Sequence, residues 1–173
     1  MSYVVRAVDN ISKWDLGTDY HPLKLINADP IGHLKTNENE LSVFVVDDIN
    51  KIDHIAIAIA STRPDFRRFH CVFAERKELK NNKIRMKHDP TTGRTPVDKA
   101  NQQHWNLIKL KARDLEKLAK IFLYNVNKKS NFKTYSQQTV KAMVKAVIDD
   151  DKYIKKQKVH PNLIEELQVN PQK

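Results

Sequence analysis

The sequence predicts an α+β fold: a small, mostly antiparallel sheet from the N-terminal half, packed by three or four helices from the C-terminal half. Three observations carry this. β-branched and aromatic runs cluster in the first half, amphipathic helical spacing dominates the second, and the 173 residues include only three glycines. Strands first and helices last is the pattern of α+β rather than of alternating βαβ units. So few glycines leave little room for an extended phosphate-cradling loop. The length suits one domain, 1–167, with a β-rich part (1–96), a basic helical part (97–167) and a frayed tail at 168–173.

Taken in order, Ser2–Val8 (SYVVRAV) reads as a strand and Asp9 to Asn39 as mostly irregular. Within that stretch, Asp29-Pro30 looks like an N-cap with proline at the first helical position, opening one short turn. Leu41–Val46 (LSVFVV) is a second strand. The next segment fits two periods: Ile52, Ile55, Ala56, Ile59 and Ala60 match a helix, while Ile55, Ile57 and Ile59 match strand alternation. Asp47-Asp48 ahead of it and Arg63-Pro64 behind it favour the helix. Phe69–Ala74 (FHCVFA) is a strand, Asn81-Asn82 a turn, and Ile84–Lys87 a short strand. Asp89 to Pro96 is a loop, and Thr95, Pro96 and Asp98 form a helix start of the capping-box kind. Helices are predicted over 97–106, 112–125, 136–149 and, as a short turn, 161–167.

Charge is divided along the chain. Residues 1–75 carry 8 Lys+Arg against 11 Asp+Glu, and residues 76–173 carry 23 against 10. A basic half attracts polyanions, most often nucleic acid. Helical geometry sharpens this. In 112–125, Leu115, Leu118, Ala119 and Phe122 fall on one side; Arg113, Lys117 and Lys120 fall on the other, with Lys109 extending their row. In 136–149, Val140, Met143, Val144 and Val147 form the buried face, flanked by Lys141 and Lys145. Between the helices, Asn127 to Tyr135 reads as a loop containing Lys128, Lys129, Lys133, Phe132 and Tyr135. Cations interleaved with aromatic rings suit phosphate contacts and base stacking. Lys152, Lys155, Lys156 and Lys158 continue the basic run. Lysine contacts phosphate as a point charge and reads base edges poorly, so little sequence preference is expected. The ordinary alternative is a solvated Lys-rich helix face.

Two other classes compete. Pro64-Asp65 followed by Glu75-Arg76-Lys77 has the form of a metal-dependent nuclease motif, in which Asp65 and Glu75 hold Mg²⁺ and Lys77 positions water. Arg76 in the middle position, usually apolar, counts against it, as does the short gap. The third class is an adaptor whose basic face docks on an acidic protein. No cofactor is expected outside the nuclease reading. Arg63, Arg67, Arg68 and His70 could grip a phosphate, but pairing with Asp47, Asp48 and Asp53 is the favoured reading. The seven histidines show no metal-ligand spacing, and a lone Cys71 in an apolar run reads as a core residue. His104-Trp105 falls on a predicted helix, with Trp105 as a core anchor. A single cysteine, no apolar run long enough to span a bilayer and no leader pattern at MSYVVRAVDN lead to an expected cytoplasmic location.

One stretch resembles small bacterial proteins of uncharacterised function. It comprises Ala28-Asp29-Pro30-Ile31, His33-Leu34-Lys35-Thr36 and Asn39-Glu40-Leu41-Ser42-Val43, preceded by a β-rich start at Tyr3-Val4-Val5-Arg6. The resemblance spans roughly residues 1–60 and implies a bacterial cytosolic accessory protein. It leaves the basic half outside.

Overall fold

The computed structural model describes residues 1–17, 20–21, 28–34, 36–91, 94–149 and 158–168. Six strands are formed: β1 Tyr3–Val8, β2 Leu41–Val46, β3 Phe69–Glu75, β4 Met86–His88, β5 His104–Leu107 and β6 Phe132–Tyr135. They make one antiparallel sheet in the order β4-β5-β2-β1-β3-β6. Seven α-helices are present among the described residues: α1 Ala28–His33, α2 Ile52–Ser61, α3 Arg76–Asn81, α4 Asp98–Gln102, α5 Ala112–Lys129, α6 Gln137–Asp149 and α7 Pro161–Gln168. The α+β class holds.

The central strands dictate the layering. In β3, Cys71, Val72, Phe73 and Ala74 are all buried, so neighbours on both faces are apolar. A strand buried on both faces needs a helical layer on each. One core joins Val5, Val46, Cys71 and Phe73 to α2, α4, α6 and α7. The other joins Val4, Val43, Val72 and Ala74 to α3, α5 and the segment around α1. Helices therefore cover both faces of the sheet, and α2 from the N-terminal half joins those from the C-terminal half.

The ambiguous segment is helical. Asp48 accepts from the Asn50 N–H at 2.9 Å and caps a 3₁₀ turn, Ile49–Lys51, that runs directly into α2. Buried residues on α2 include Ile52, Ile55, Ala56, Ile57, Ala58 and Ala60, which explains why no single period dominated: the helix is packed on most of its circumference.

The second half departs most from expectation. The helix predicted over 97–106 stops at Gln102, and His104–Leu107 pairs instead as β5 between β2 and β4. Trp105 is thus on a strand, half-buried, with the Arg76 guanidinium 4.3 Å above its ring and His88 4.9 Å away. The predicted strand Ile84–Lys87 is shifted to Met86–His88, and α3, unanticipated, occupies 76–81. The loop expected at 127–135 does not exist as such. α5 continues to Lys129, Ser130 closes it in the left-handed conformation (φ 52°), and Phe132–Tyr135 becomes the edge strand β6 on β3. Asp29 lies inside α1 rather than ahead of it and pairs with Lys13 at 2.6 Å. Lys152, Lys155, Lys156 and the tail beyond Gln168 lie outside the described residues.

Two polar clamps hold α5. Asn127 Oδ1 accepts from the N–H groups of Leu16 and Gly17 at 2.8 and 3.1 Å, and its Nδ2 donates to the Trp14 and Leu123 carbonyls. It fastens the segment after β1 to the last turn of the helix, beside fully buried Trp14. Buried Asn125 donates to Glu78 on α3 and to the Ile121 carbonyl, while accepting from Asn131.

Replacing Asn127 by Ala removes four hydrogen bonds and strands half-buried backbone groups. The expected cost is about 2–3 kcal/mol, read as a lowered urea midpoint at unchanged slope. Burial also raises the Cys71 thiol from an ordinary 9.0 to about 12. A thiol ionising more readily in the unfolded chain stabilises the fold fully below pH 9.0, and that contribution is lost as pH rises towards 12. Iodoacetamide at pH 8.5 should therefore label Cys71 only at the rate of unfolding; rapid labelling of the native protein would contradict its burial.

Candidate nucleic-acid interface

The cations expected to form one surface are distributed over several. Lys109, Arg113 and Lys117 come together at the N-terminal end of α5. There the loop from β5 into α5 meets the loop from α3 into β4, tied by Ile108 N–H to the Arg85 carbonyl at 3.0 Å. A second tie runs from Leu110 N–H to the Asn39 carbonyl, also 3.0 Å. The result is a groove of about 380 Å³ lined by Lys83, Arg85, Lys109, Lys111, Arg113 and Lys117, with Asp114 as its one described acid. Asp114 is already committed: one oxygen accepts from the Lys111 N–H at 3.0 Å, capping α5, and the other lies 3.7 Å from Lys117 Nζ. No carboxylate among the described residues forms an ion pair with the other five cations. Ile84 and Leu110 are buried beneath them, anchoring both loops in the core.

Two of these lysines sit in a backbone region that favours glycine. Lys83 has φ 60° and Lys109 φ 56°. Each conformation costs an L-residue on the order of 1 kcal/mol. Lys83 terminates α3, its N–H bonding the Lys80 carbonyl at 2.9 Å. Lys109 directs the turn from β5 into α5. Side-chain charge is kept at both places where bare backbone would be less strained.

The remaining candidates are elsewhere or occupied. Lys120 pairs with Glu116 at 2.7 Å, one turn earlier on α5. Lys128 lies over the Tyr20 ring, and Lys129 is held by Glu78. Lys133 on β6 faces Asp53, 3.9 Å away. Lys141 pairs with Glu166 at 2.8 Å, and exposed Lys145 shares its helix, α6, across the sheet from α5. Neither stacking candidate is free. Phe132 is half-buried against the α5 core, and the Tyr135 hydroxyl donates to Asp53; burial, reinforced by that bond, pushes its pKa up.

The nuclease residues do not converge. Asp65 precedes β3 and Glu75 ends it. The strand between them spans about 20 Å at 3.3 Å per residue, too far for one Mg²⁺ to reach both. Asp65 accepts from Arg67 Nε at 2.8 and 2.9 Å, and Lys77 Nζ lies 2.8 Å from Glu75, which depresses the Glu75 pKa. The expected pairing of the arginines with Asp47, Asp48 and Asp53 is also replaced. Asp47 binds Lys51, Asp48 caps its 3₁₀ turn, and Asp53 binds Lys133 and Tyr135. Each acid found a partner nearer in the folded chain.

Sequence spacing could not find Lys83, Arg85 and Lys111. The first two precede a strand whose position was misjudged, and all three converge only because β4 pairs with β5. No family model, curated protein or solved structure matches this chain.

Proposed function

We propose that the protein binds the phosphate backbone of nucleic acid through the groove at the N-terminal end of α5. The observation that carries this reading is the convergence of Lys83, Arg85, Lys109, Lys111, Arg113 and Lys117 on one groove with a single, committed acid. Six like charges held together repel one another, and a polyanion relieves that repulsion while releasing its own counterions. Four of the six are lysines, which contact phosphate without reading bases, so the recognition is of backbone and not of sequence. No stacking ring lines the groove among the described residues, in keeping with a surface that holds the strand by charge alone. The role is that of a non-enzymatic accessory module. An acidic protein is the rival partner, and salt dependence together with competition by nucleic acid separates the two.

Fluorescence anisotropy with mixed-sequence oligonucleotides should give an affinity that falls log-linearly with salt. Lys109→Glu combined with Arg113→Glu should weaken binding at least tenfold and flatten the salt slope by roughly 2. Lys145→Glu, across the sheet, should leave both unchanged. Absence of binding at 50 mM salt, or equal losses in both variants, would overturn the proposal.

Lys109→Gly separates binding from folding. It removes a cation and relieves a left-handed lysine. The unfolding free energy should stay within about 1 kcal/mol of wild type while affinity drops several-fold.

A further inference from the structure

A second pocket lies where the sheet opens. The β1–β2 ladder ends at Val5↔Phe44 although both strands run on, β1 to Val8 and β2 back to Leu41. The Arg6 guanidinium fills the gap, its Nη1 donating to the Ser42 carbonyl at 2.8 Å in place of a ladder bond. Its Nε is buried and has no partner. No carboxylate among the described residues forms an ion pair with Arg6; Asp9 acts on it only at longer range. A half-buried cation with no ion-pair partner among the described residues is unusual.

Above this split lies a cavity of about 290 Å³ between the end of α2 and the loop after β4. Arg94 from that loop joins Arg6 in lining it, and no Asp or Glu does so among the described residues. Phe44, Ile59 and His104 supply an apolar wall. The rings of Phe44 and His104 meet edge to face at 5.7 Å. His104 Nδ1 donates to the Asp89 carbonyl at 2.7 Å, which fixes that ring in place.

From this we infer a binding site for a small phosphate monoester carrying a planar body, of the nucleoside-monophosphate class. No described carboxylate lines the pocket beside the two arginines, and a phosphate monoester brings close to two negative charges where a carboxylate brings one. Guanidinium forks match phosphate oxygens geometrically. The aromatic wall suits a flat ring, and the volume is near the lower bound for small-ligand pockets. The site is independent of the lysine groove: it uses different residues and a different loop.

Calorimetric titration of the full chain with AMP, adenosine and inorganic phosphate tests the inference. AMP should bind with a Kd on the order of 10–100 µM, phosphate more weakly, and adenosine not detectably. Arg94→Ala, at an exposed loop position, should weaken AMP by tenfold or more without altering the urea midpoint. Phe44→Leu should weaken AMP but not phosphate. The Lys109→Glu/Arg113→Glu variant should bind AMP as wild type does. No AMP binding at millimolar concentration, adenosine binding as tightly as AMP, or AMP binding indifferent to Arg94→Ala would each overturn it. Loss of AMP binding in the groove variant would assign the ligand to the groove instead.

Discussion

Everything in this fold follows from two strands that are apolar on both sides. β1 and β3 lie adjacent near the middle of the sheet, with Val4 and Val5 buried on opposite faces, and Val72 and Phe73 likewise. Alternation normally leaves one face of an antiparallel sheet wet. Here the middle of each strand is buried on both faces, so helices must cover both. α5 spans one face and α2 with α6 the other. The placement of the helical cations follows, because they are pushed to whichever side is left outward.

How far the sequence disclosed this depended on the range of the interactions. β2 was legible to the residue, since LSVFVV is a compact run of β-branched and aromatic residues bounded by polar ones. α5 was legible from its stripe, though not its end. The helix persists to Lys129 because Asn125 and Asn127, polar residues that suggest a loop, bond to distant partners on α3 and after β1. β5 was hidden for a related reason. HWNL has no strong strand propensity, and its pairing is enforced by neighbours 62 and 21 positions away in the chain, as in Val43↔Trp105 and Met86↔Leu107.

The candidate site was half legible. Helical geometry placed Arg113 and Lys117 on one outward stripe, and the structure keeps them there. The same geometry could not tell that the α6 lysines would lie beyond the sheet, because a helical wheel holds no information about which layer a helix joins. Nor could it show which cations already have acids beside them. Lys120, Lys129, Lys133 and Lys141 are all engaged, and only the folded chain separates them from the open ones. The division of labour between the two cation types is also a property of the fold: lysines dominate the groove beside α5, while Arg6 and Arg94 meet over the split in the sheet.

The pairing of β3 with β6 has a consequence for synthesis. β3 ends at residue 75 and its partner ends at residue 135. At a ribosomal pace of 5–20 residues per second, those intervening positions take roughly 3–12 s to appear. Until then the strand with the longest buried run, Cys71 to Ala74, has an open edge, and α5, its cover, is incomplete. A nascent chain in that interval offers a ready template for pairing with another copy of itself. His70 and the adjacent Arg67 and Arg68 flank the start of that edge. The two arginines put charge beside the hydrophobic run while that edge is open.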